Sequence, residues 1–593
     1  MNKNTIMAVV CSGIVLIAYT IVQVKFFPPV PAENQNVEQI EETPVSAPSE
    51  NTVSIDTGSI VEAGTDNEIV EESTYTISTD KVKVTFTNRG GDVISYEILD
   101  HFDNKTGRSV EMADNITSRN RAFSLAFGGA DKPAVNDLFI VKEFPASADG
   151  EKKIAFAKKY SDFTLVKQYT FRPDEYMFRL NVIIEGKDSF TGLNSNDSNG
   201  LNTSYTLRTS PQIGPYFDVK LDRYESRSFL SAHDNKGKRV RLATKQFKEF
   251  NKAFDWAGIG GKYFCEIVVP LKPDTVQTAY YSTNIEVADY ANAQAFIERK
   301  GINDKVVNDV YDIYVGPRSE KELKKYLLAE NNNWGLSDYR LTEALESSGF
   351  LGWLEAILKW FMEMIYRLIP NWGVSIIILT VILKIALFPL TMKSSLGTLK
   401  MQEIQPKMQA IQTKYKENPQ KMQEETAKLY KEAGYNPMSG CLPMIFQMLF
   451  LFAMYNLFNN YFEFRGAGFV KGWIDDLSSG DSIYVLKTTL PFIGNHIRIL
   501  PVIYLASQLF YGKITQLGTS MSAGQNAGTM KFMTYGMPIM FFFMFYNAPS
   551  GLILFWTVSN IIQMGQQLII NKTMKNHKEG LKPVVAKNPK AKK

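Results

Sequence analysis

One lysine, Lys384, lies in the middle of an apolar run, VSIIILTVILKIALFPLT. In a helix it would lie roughly 18 Å from Trp372 and roughly 13 Å from Lys393, the residues that bound the run. A charge at that depth in a bilayer costs about 3 kcal/mol, so such residues face a bundle interior or a water-filled cavity. Snorkelling is the alternative, but reaching the nearer end would run against the direction in which helical side chains lean. Thr380, one turn earlier on the same face, suggests a polar stripe around a candidate functional lysine.

Other apolar runs carry uncharged polar groups, which taken singly are more typical of helix packing than of a site. These groups are Gln447, Asn456, Ser507, Gln508, Thr557, Ser559, Asn560 and Gln563. No Asp or Glu lies inside any predicted span. Lys384 therefore needs water, amides, hydroxyls or a passing substrate around it, which favours a hydrated groove over an ion-paired bundle.

The remaining side chains predict neither catalysis nor metal binding. The three cysteines, Cys11, Cys265 and Cys441, are far apart, and the four histidines are scattered, so neither a disulfide framework nor a zinc site follows. A lipoprotein signal at Cys11 is disfavoured by Val10, which stands where a small residue is expected. Because there is also no phosphate loop or catalytic triad, we expect no cofactor, no metal and no enzymatic activity.

The elements that must position Lys384 follow from the division of the chain into polar and apolar parts. Residues 1–25 read as an uncleaved transmembrane anchor, because the apolar run 6–24 is long enough to cross a bilayer. Residues 26–75 are acidic and contain no Lys or Arg, which predicts a disordered linker. Residues 76–330 alternate apolar and polar residues between Pro and Gly turns, so an all-β extracytoplasmic domain of sandwich type is predicted.

Residues 331–370 read as a connecting segment that ends in an amphipathic helix. In FLGWLEAILKWFMEMIYRLI (350–369) the charges stand four residues apart and form one stripe, consisting of Glu355, Lys359, Glu363 and Arg367. Because aromatic and aliphatic residues fill the rest of its surface, we expect this helix to lie in the membrane interface. An ordinary surface helix that faces a core is the alternative.

Residues 371–572 read as a helical membrane core with five spans. We expect these spans at residues 373–392, 438–459, 496–512, 531–548 and 550–571. The third span looks short and interrupted by Pro501, and residues 483–494 before it read as a re-entrant or interfacial piece. With the N-terminal anchor the chain would make six crossings, which places both termini on one side.

Loop charges orient this topology. The 393–436 loop holds eight lysines and the chain after Asn571 holds another eight, whereas the 460–482 loop has two basic and four acidic residues. The positive-inside rule thus places the lysine-rich segments and both termini in the cytoplasm and the β domain outside. Residues 393–436 read as a helical hairpin broken at Asn418-Pro419, and residues 573–593 as a basic cytoplasmic tail.

Four long stretches of the membrane core have specific sequences, namely NWGVSIIILTVILKIALFPLT (371–391), IQPKMQAIQTKY (404–415), YNPMSGCLPMIFQM (435–448) and APSGLILFWTVSN (548–560). They resemble one family, the YidC/Oxa membrane protein insertases of the type with a large periplasmic domain. More weakly, GGDV (90–93), YFCEIVVP (263–270) and VGP (315–317) are similar to the family's periplasmic domain. The resemblance implies six transmembrane helices, five of them forming the insertase core, and a β-supersandwich domain in the periplasm.

The resemblance also implies a site. The positive residue that lines the family's groove, usually arginine, falls on Lys384, and groove positions fall on Thr380, Gln447 and Trp556. The implied activity is to insert inner-membrane proteins and help them fold, alone or with the Sec translocon. Implied partners are nascent membrane proteins, the lipid bilayer, Sec components, and the ribosome through the hairpin and basic tail.

Two other functions fit the sequence without the resemblance. A secondary transporter could use Lys384 as an anion or proton site, although no inverted repeat and no intramembrane acid is visible. An envelope-binding protein could act through its β domain and use its spans only as anchors.

Overall fold

The computed structural model describes residues 70–580 apart from 104–105, 197–199, 217–224, 234–235, 242–246, 251–253, 283–292, 346–348, 435–437, 491–492 and 519–531. The predicted anchor (1–25), the acidic linker up to residue 69 and the basic tail beyond residue 580 lie outside the described residues.

The described part of residues 74–317 is predominantly β-structure. Its strands are β1 Thr74–Ser78, β2 Val82–Thr87, β3 Asp92–Phe102, β4 Ser109–Glu111, β5 Leu125–Phe127, β6 Ile140–Glu143, β7 Lys152–Lys159, β8 Phe163–Phe171, β9 Met177–Gly186, β10 Ser195–Asn196, β11 Asn202–Arg208, β12 Ser228–His233, β13 Lys236–Arg241, β14 Phe247–Phe250, β15 Trp256–Gly260, β16 Phe264–Pro270, β17 Val276–Ser282, β18 Gln294–Lys300 and β19 Val306–Pro317. The prediction of an all-β domain is confirmed in a coarser form, because the domain is mostly β-structure but also contains short helical turns such as Pro273–Thr275.

Three antiparallel sheets share one hydrophobic core. The largest has nine strands in the order β13-β12-β15-β16-β19-β9-β8-β7-β6, the second runs β10-β11-β18-β17-β14 with β5 beside β11, and the third runs β1-β2-β3-β4. Long strands such as β8 and β9 are buried along most of their length, because both faces of the central sheet are covered. Inward-facing Phe, Tyr, Ile and Val fill the space between the layers.

A buried ionic cluster ties the turn before β3 to β8. Asp92 accepts hydrogen bonds from Lys167 Nζ at 2.6 Å and from Arg121 Nε at 2.9 Å, and all three side chains are at most 3% exposed. Gly91 precedes this aspartate at φ 61°, where a Cβ would lie 2.6 Å from Phe156 Cβ. Glycine is therefore required by both the backbone conformation and the close packing.

The segment after β19 stays on the β domain before it reaches the membrane core. A short helix, Glu320–Leu323, is capped by Ser319 and continues into a 3₁₀ turn, Lys324–Leu327. Leu323 and Tyr326 are buried in the same core as the strands. The β domain also contacts the loop that follows the helix Met438–Asn460. In this loop the ring of Phe462 packs against His101, Tyr263 and Phe264.

Helices dominate the described residues from 352 onward. They are α1 Gly352–Leu368, α2 Trp372–Lys414, α3 Pro419–Glu432, α4 Met438–Asn460, α5 Leu500–Gly518, α6 Met537–Phe545 and α7 Ser550–Gly580. Within the described residues, two stretches are long and apolar enough to cross a membrane, Trp372–Met392 in α2 and Ser550–Thr573 in α7. The count of six crossings, five of them in the core, remains a prediction.

The region around the predicted third span differs from expectation. Strands β20 Tyr484–Leu490 and β21 Gly494–Ile497 pair antiparallel, where the sequence predicts a re-entrant or interfacial piece. Helix α5 begins at Leu500, so the span predicted from residue 496 starts too early. Pro501 does not interrupt this helix; it occupies the first turn, where a missing N–H costs nothing. Asp481 Oδ2 accepts hydrogen bonds from the N–H groups of Ile499 and Leu500, which fixes the start of the helix.

Helix α2 does not end at the predicted span boundary. It continues without a break to Lys414, although Pro389 and Pro406 lie inside it. Asn418 then caps α3, with Pro419 in its first turn, and α3 packs back on α2, where Tyr430 Oη donates to Met408 Sδ at 3.2 Å. Within the predicted 531–548 span, the regular α-helix is α6, Met537–Phe545. A π-helical turn, Phe532–Gly536, precedes it.

Candidate functional site

Lys384 lies in α2 where this helix packs against α7. Its side chain is half-buried, and Nζ donates a hydrogen bond to Gln563 Oε1 at 3.0 Å. Among the described residues no carboxylate lies within 4.0 Å of this ammonium. The structure therefore places a neutral amide beside the half-buried lysine, consistent with the absence of acids from the predicted spans.

A second glutamine of α7 contacts the backbone of the same lysine. Gln566 Nε2 donates to the carbonyl oxygen of Lys384 at 2.8 Å. Pro389 follows close behind in α2, where it lacks the N–H that would donate to the carbonyl of Ile385. Two amides three residues apart on α7 thus hold the side chain and the backbone of Lys384 together.

Polar contacts continue from α7 to α5. Gln563 Nε2 donates to Tyr511 Oη at 3.0 Å. About a turn away along α7, Asn560 Nδ2 donates to Ser507 Oγ at 3.1 Å. Because these contacts join α2, α7 and α5, Lys384 is part of a polar network across three helices.

The predicted groove residues Thr380 and Trp556 are more enclosed than a groove lining suggests. Thr380 is fully buried, and its hydroxyl donates to the carbonyl of Ile376 at 2.6 Å. Trp556 is 8% exposed and packs against Tyr504 and Phe545, with ring centroids 5.7 and 4.8 Å away. Its indole Nε1 is buried and has no hydrogen-bond partner among the described residues. Trp556 lies two helical turns from Gln563, on nearly the same face of α7.

The fourth predicted groove residue, Gln447, lies within α4, Met438–Asn460, but its side chain is outside the described residues. Of the four predicted positions, Lys384 and Thr380 share one face of α2, and Trp556 lies on the neighbouring α7. The roles of all four remain predictions.

The charged stripe of α1 faces the protein over most of its length. Glu355 is 8% exposed and accepts a hydrogen bond from Asn456 Nδ2 of α4 at 2.8 Å. Glu363 accepts one from Tyr461 Oη at 2.8 Å. Lys359 pairs with Glu320 of the β domain, and Arg367 is exposed at the end of the stripe.

The ion pair between α1 and the β domain changes the pKa of both partners. Hydrogen bonds from Lys324 and Lys359 lower the pKa of Glu320 from 4.5 to about 2. Burial works to lower the pKa of Lys359, but Glu320 and Glu363 outweigh burial and raise this pKa. Both groups are charged at neutral pH, so the pair draws the helix and the domain together.

The opposite face of α1 is apolar and exposed. It presents large side chains that are 39–79% exposed, namely Trp353, Ile357, Trp360, Met364 and Leu368. A monomeric soluble protein rarely leaves such a contiguous patch open to water. The helix therefore has its charges inward and its apolar surface outward, which is the orientation expected where the outer surroundings are lipid.

Sequence reasoning did not single out Gln563, Gln566 and Tyr511 as partners of Lys384. Gln563 was noted only as one polar group among several, and its amide is indistinguishable by type from helix-packing amides. The spacing of three residues between Gln563 and Gln566 on one helix face was the available signal. Tyr511 gave none, because a tyrosine in an apolar run is ordinary.

Comparisons with known proteins cover almost all of the chain. One family model, 60Kd inner membrane protein, matches residues 364–578, and another, the YidC periplasmic domain, matches residues 74–364. A membrane protein insertase YidC from Treponema denticola is 47% identical, over 97% of this chain and 100% of its own length. The corresponding protein from Treponema pallidum is 39% identical over 98% and 100%.

A solved structure is also similar. A crystal structure of an active YidC insertase with its first transmembrane domain resolved is 20% identical, and the match covers 84% of this chain and 92% of that one with a TM-score of 0.33. These comparisons give no support to the transporter alternative.

Proposed function

The chain belongs to the YidC family of membrane protein insertases, and we propose that it inserts its substrates through a hydrated groove at Lys384. Membership makes it an inner-membrane protein with a periplasmic domain, a membrane protein insertase acting on nascent membrane proteins, and not an enzyme. The proposal concerns how the insertion is done and which residues do it.

The observation that carries the proposal is the uncompensated charge. Lys384 is half-buried within α2, and its contact among the described residues is a neutral amide, Gln563 Oε1. An ammonium has three donor hydrogens and this contact uses one, so two remain for water or a substrate. A cation held in this way attracts an acidic segment and releases it again, because no covalent or tight bidentate contact forms.

Such a groove lowers the cost of moving a polar segment across the membrane. A charged side chain alone in hydrocarbon costs about 3 kcal/mol, and a hydrophilic tail carries several polar groups. In the groove, water and polar side chains of α2 and α7 solvate the tail. The driving force is the burial of the substrate's own apolar span, so no energy-coupled step is required.

Insertion into liposomes that contain the purified protein tests the role of the charge. The substrate is a single-span protein whose translocated tail is either acidic or neutral, and protease protection of the tail measures insertion. We expect Lys384→Arg to retain activity because it keeps the cation. We expect Lys384→Met and Lys384→Glu to slow insertion of the acidic-tail substrate, with Lys384→Glu worse because it repels the tail.

Lys513→Met is the matched control, because Lys513 is an exposed lysine of α5 outside the polar network. It should insert both substrates like the unaltered protein. Full activity of Lys384→Glu on acidic tails would exclude an electrostatic role for this lysine. Crosslinking of a stalled nascent chain to photoreactive groups at Thr380, Gln447 and Trp556 then tests whether these three positions lie along the substrate's path.

We further propose that α1 lies in the interface of the inner membrane, on its periplasmic side. In support, its exposed face carries two tryptophans and three aliphatic or thioether side chains, while Glu355 and Glu363 are satisfied by protein groups. The helix would then anchor the β domain, through the pair of Lys359 with Glu320, at a fixed height above the bilayer.

Cooperation with the Sec translocon, a folding role for inserted proteins, and ribosome contact by the α2–α3 hairpin and the basic tail also belong to the proposal. Supporting ribosome contact, α2 extends about 33 Å beyond Met392, far enough to leave the membrane. Ribosome co-sedimentation that is unaffected by truncation after Asn571 would remove the tail from this role. Copurification with Sec components tests the other partner.

A further inference from the structure

The hydrogen bonds around Lys384 form a chain across three helices. Lys384 Nζ donates to Gln563 Oε1 at 3.0 Å, and Gln563 Nε2 donates to Tyr511 Oη at 3.0 Å. The ammonium can only donate, so the amide oxygen of Gln563 must face it, and the amide nitrogen then donates to Tyr511 Oη. With its other end held by Tyr511, Gln563 presents a fixed acceptor that positions the ammonium.

Gln566 makes this arrangement more rigid. Its amide donates to the backbone carbonyl of Lys384 at 2.8 Å, so α7 contacts the lysine at its backbone and at its charged end. A long lysine side chain otherwise has many rotamers, and fixing it in place costs side-chain entropy. Contacts at both ends reduce the number of positions that the ammonium can occupy before a substrate arrives.

We propose that Gln563 is a positioning residue that holds the Lys384 ammonium toward the groove without neutralising it. The inference rests on the groove function proposed above and adds the residue that keeps the cation available. A carboxylate at position 563 would pair with Lys384 and compete with the acidic segment of a substrate. A neutral amide acceptor keeps the net charge of +1 and leaves two hydrogens of the ammonium to donate to a substrate carboxylate.

The decisive variant is Gln563→Glu, which changes the charge with little change in shape. In the liposome insertion assay we expect the initial rate with the acidic-tail substrate to fall about 5- to 30-fold, the range that corresponds to losing one or two kcal/mol of interaction. The neutral-tail substrate should change by less than about two-fold, because it does not need the free cation. Equal loss on both substrates, or no loss on either, would overturn the inference.

A matched control separates this effect from the general cost of a buried carboxylate. Gln508→Glu makes the same exchange in α5, where Gln508 Nε2 contacts Tyr504 Oη at 3.0 Å. It should show no selective loss on acidic tails; a loss equal to that of Gln563→Glu would overturn the specific role of Gln563. Gln563→Met removes the acceptor without adding charge, and it should give a smaller loss that is again confined to acidic tails.

The exchange of the two side chains gives a readout that a purely structural role would not change. Lys384→Gln combined with Gln563→Lys returns the cation to the same contact from the other helix. Acidic-tail insertion should recover relative to Lys384→Gln alone, and no recovery contradicts the inference. If Lys384→Met itself inserts acidic tails at the unaltered rate, the groove function fails; if it is impaired while Gln563→Glu is not, only the inference about Gln563 fails.

Discussion

The charge balance of the buried cluster of Asp92, Lys167 and Arg121 predicts which of two substitutions destabilises the β domain more. Two cations share one anion in a place that solvent does not reach. Asp92→Asn removes the one carboxylate that lies within ion-pair distance of either cation among the described residues, and it leaves both cations unpaired. Lys167→Met instead leaves Asp92 paired with Arg121, a neutral combination. We therefore expect Asp92→Asn to destabilise the β domain more.

The contacts give the magnitudes. Breaking a buried ion pair so that a charge remains unpaired costs about 3–5 kcal/mol, which applies to Asp92→Asn. Lys167→Met loses the hydrogen bonds of Lys167 to the carbonyls of Gly90 and Phe123, at 3.1 and 2.8 Å, and at roughly 1 kcal/mol each the loss is about 2 kcal/mol. The two variants should thus differ by about 2 kcal/mol, which is more than a tenfold difference in the opening equilibrium.

Hydrogen exchange on the full chain in detergent measures this difference. Peptides that cover β8, Phe163–Phe171, should lose protection by about two to four orders of magnitude in Asp92→Asn and by about one to two in Lys167→Met. Lys305→Met is the control, because Lys305 pairs with Asp188 on the surface, where ion pairs contribute little. If Lys167→Met loses as much protection as Asp92→Asn, charge balance is not what the cluster provides.

Three further predictions concern other parts of the chain. Burial raises the pKa of Glu266 from 4.5 to about 7, so the folded chain holds a proton that the unfolded chain releases. The retained proton stabilises the folded chain by on the order of 3 kcal/mol below pH 4.5, and this stabilisation is lost as the pH rises toward 7. Because glutamine does not titrate, Glu266→Gln should flatten the pH dependence of the unfolding temperature between pH 4.5 and 7. Asn456→Leu removes the amide that contacts the buried carboxylate of Glu355 and should lower the stability in detergent by about 1.5–3 kcal/mol; an unchanged melting temperature contradicts that contact. A spin label at Ile357 should be more accessible to oxygen than to a polar nickel reagent, and a label at Lys321 of the β domain should show the reverse.

The sequence predicted the β domain, the long apolar stretch around Lys384 and the charged stripe of α1, because each depends on periodicity alone. It could not predict which way that stripe faces. The spacing of Glu355, Lys359 and Glu363 defines one face of a helix, but only the positions of Asn456, Tyr461 and Glu320 turn this face toward the protein. Those partners lie 39 to 101 residues away along the chain.

The start of α5 was missed for a related reason. From the sequence, Pro501 predicts an interruption because proline disrupts a helix interior, but in the first turn proline is favourable. Asp481, which accepts from the N–H groups at this helix start, is separated from it by strands β20 and β21. The contact of Gln563 with Lys384 spans 179 residues, so no local pattern reveals it.

The continuity of α2 has a mechanical consequence. The part of α2 from Lys384 to Lys414 is about 45 Å long, so it can act as a lever whose inner end is the half-buried lysine. A sideways push of about 4 Å at the far end corresponds to a tilt of about 5° at Lys384. Pro389 removes a backbone hydrogen bond just beyond this lysine, which makes bending easiest there. Load on the α2–α3 hairpin can therefore be transmitted as torque to the point where α7 contacts Lys384.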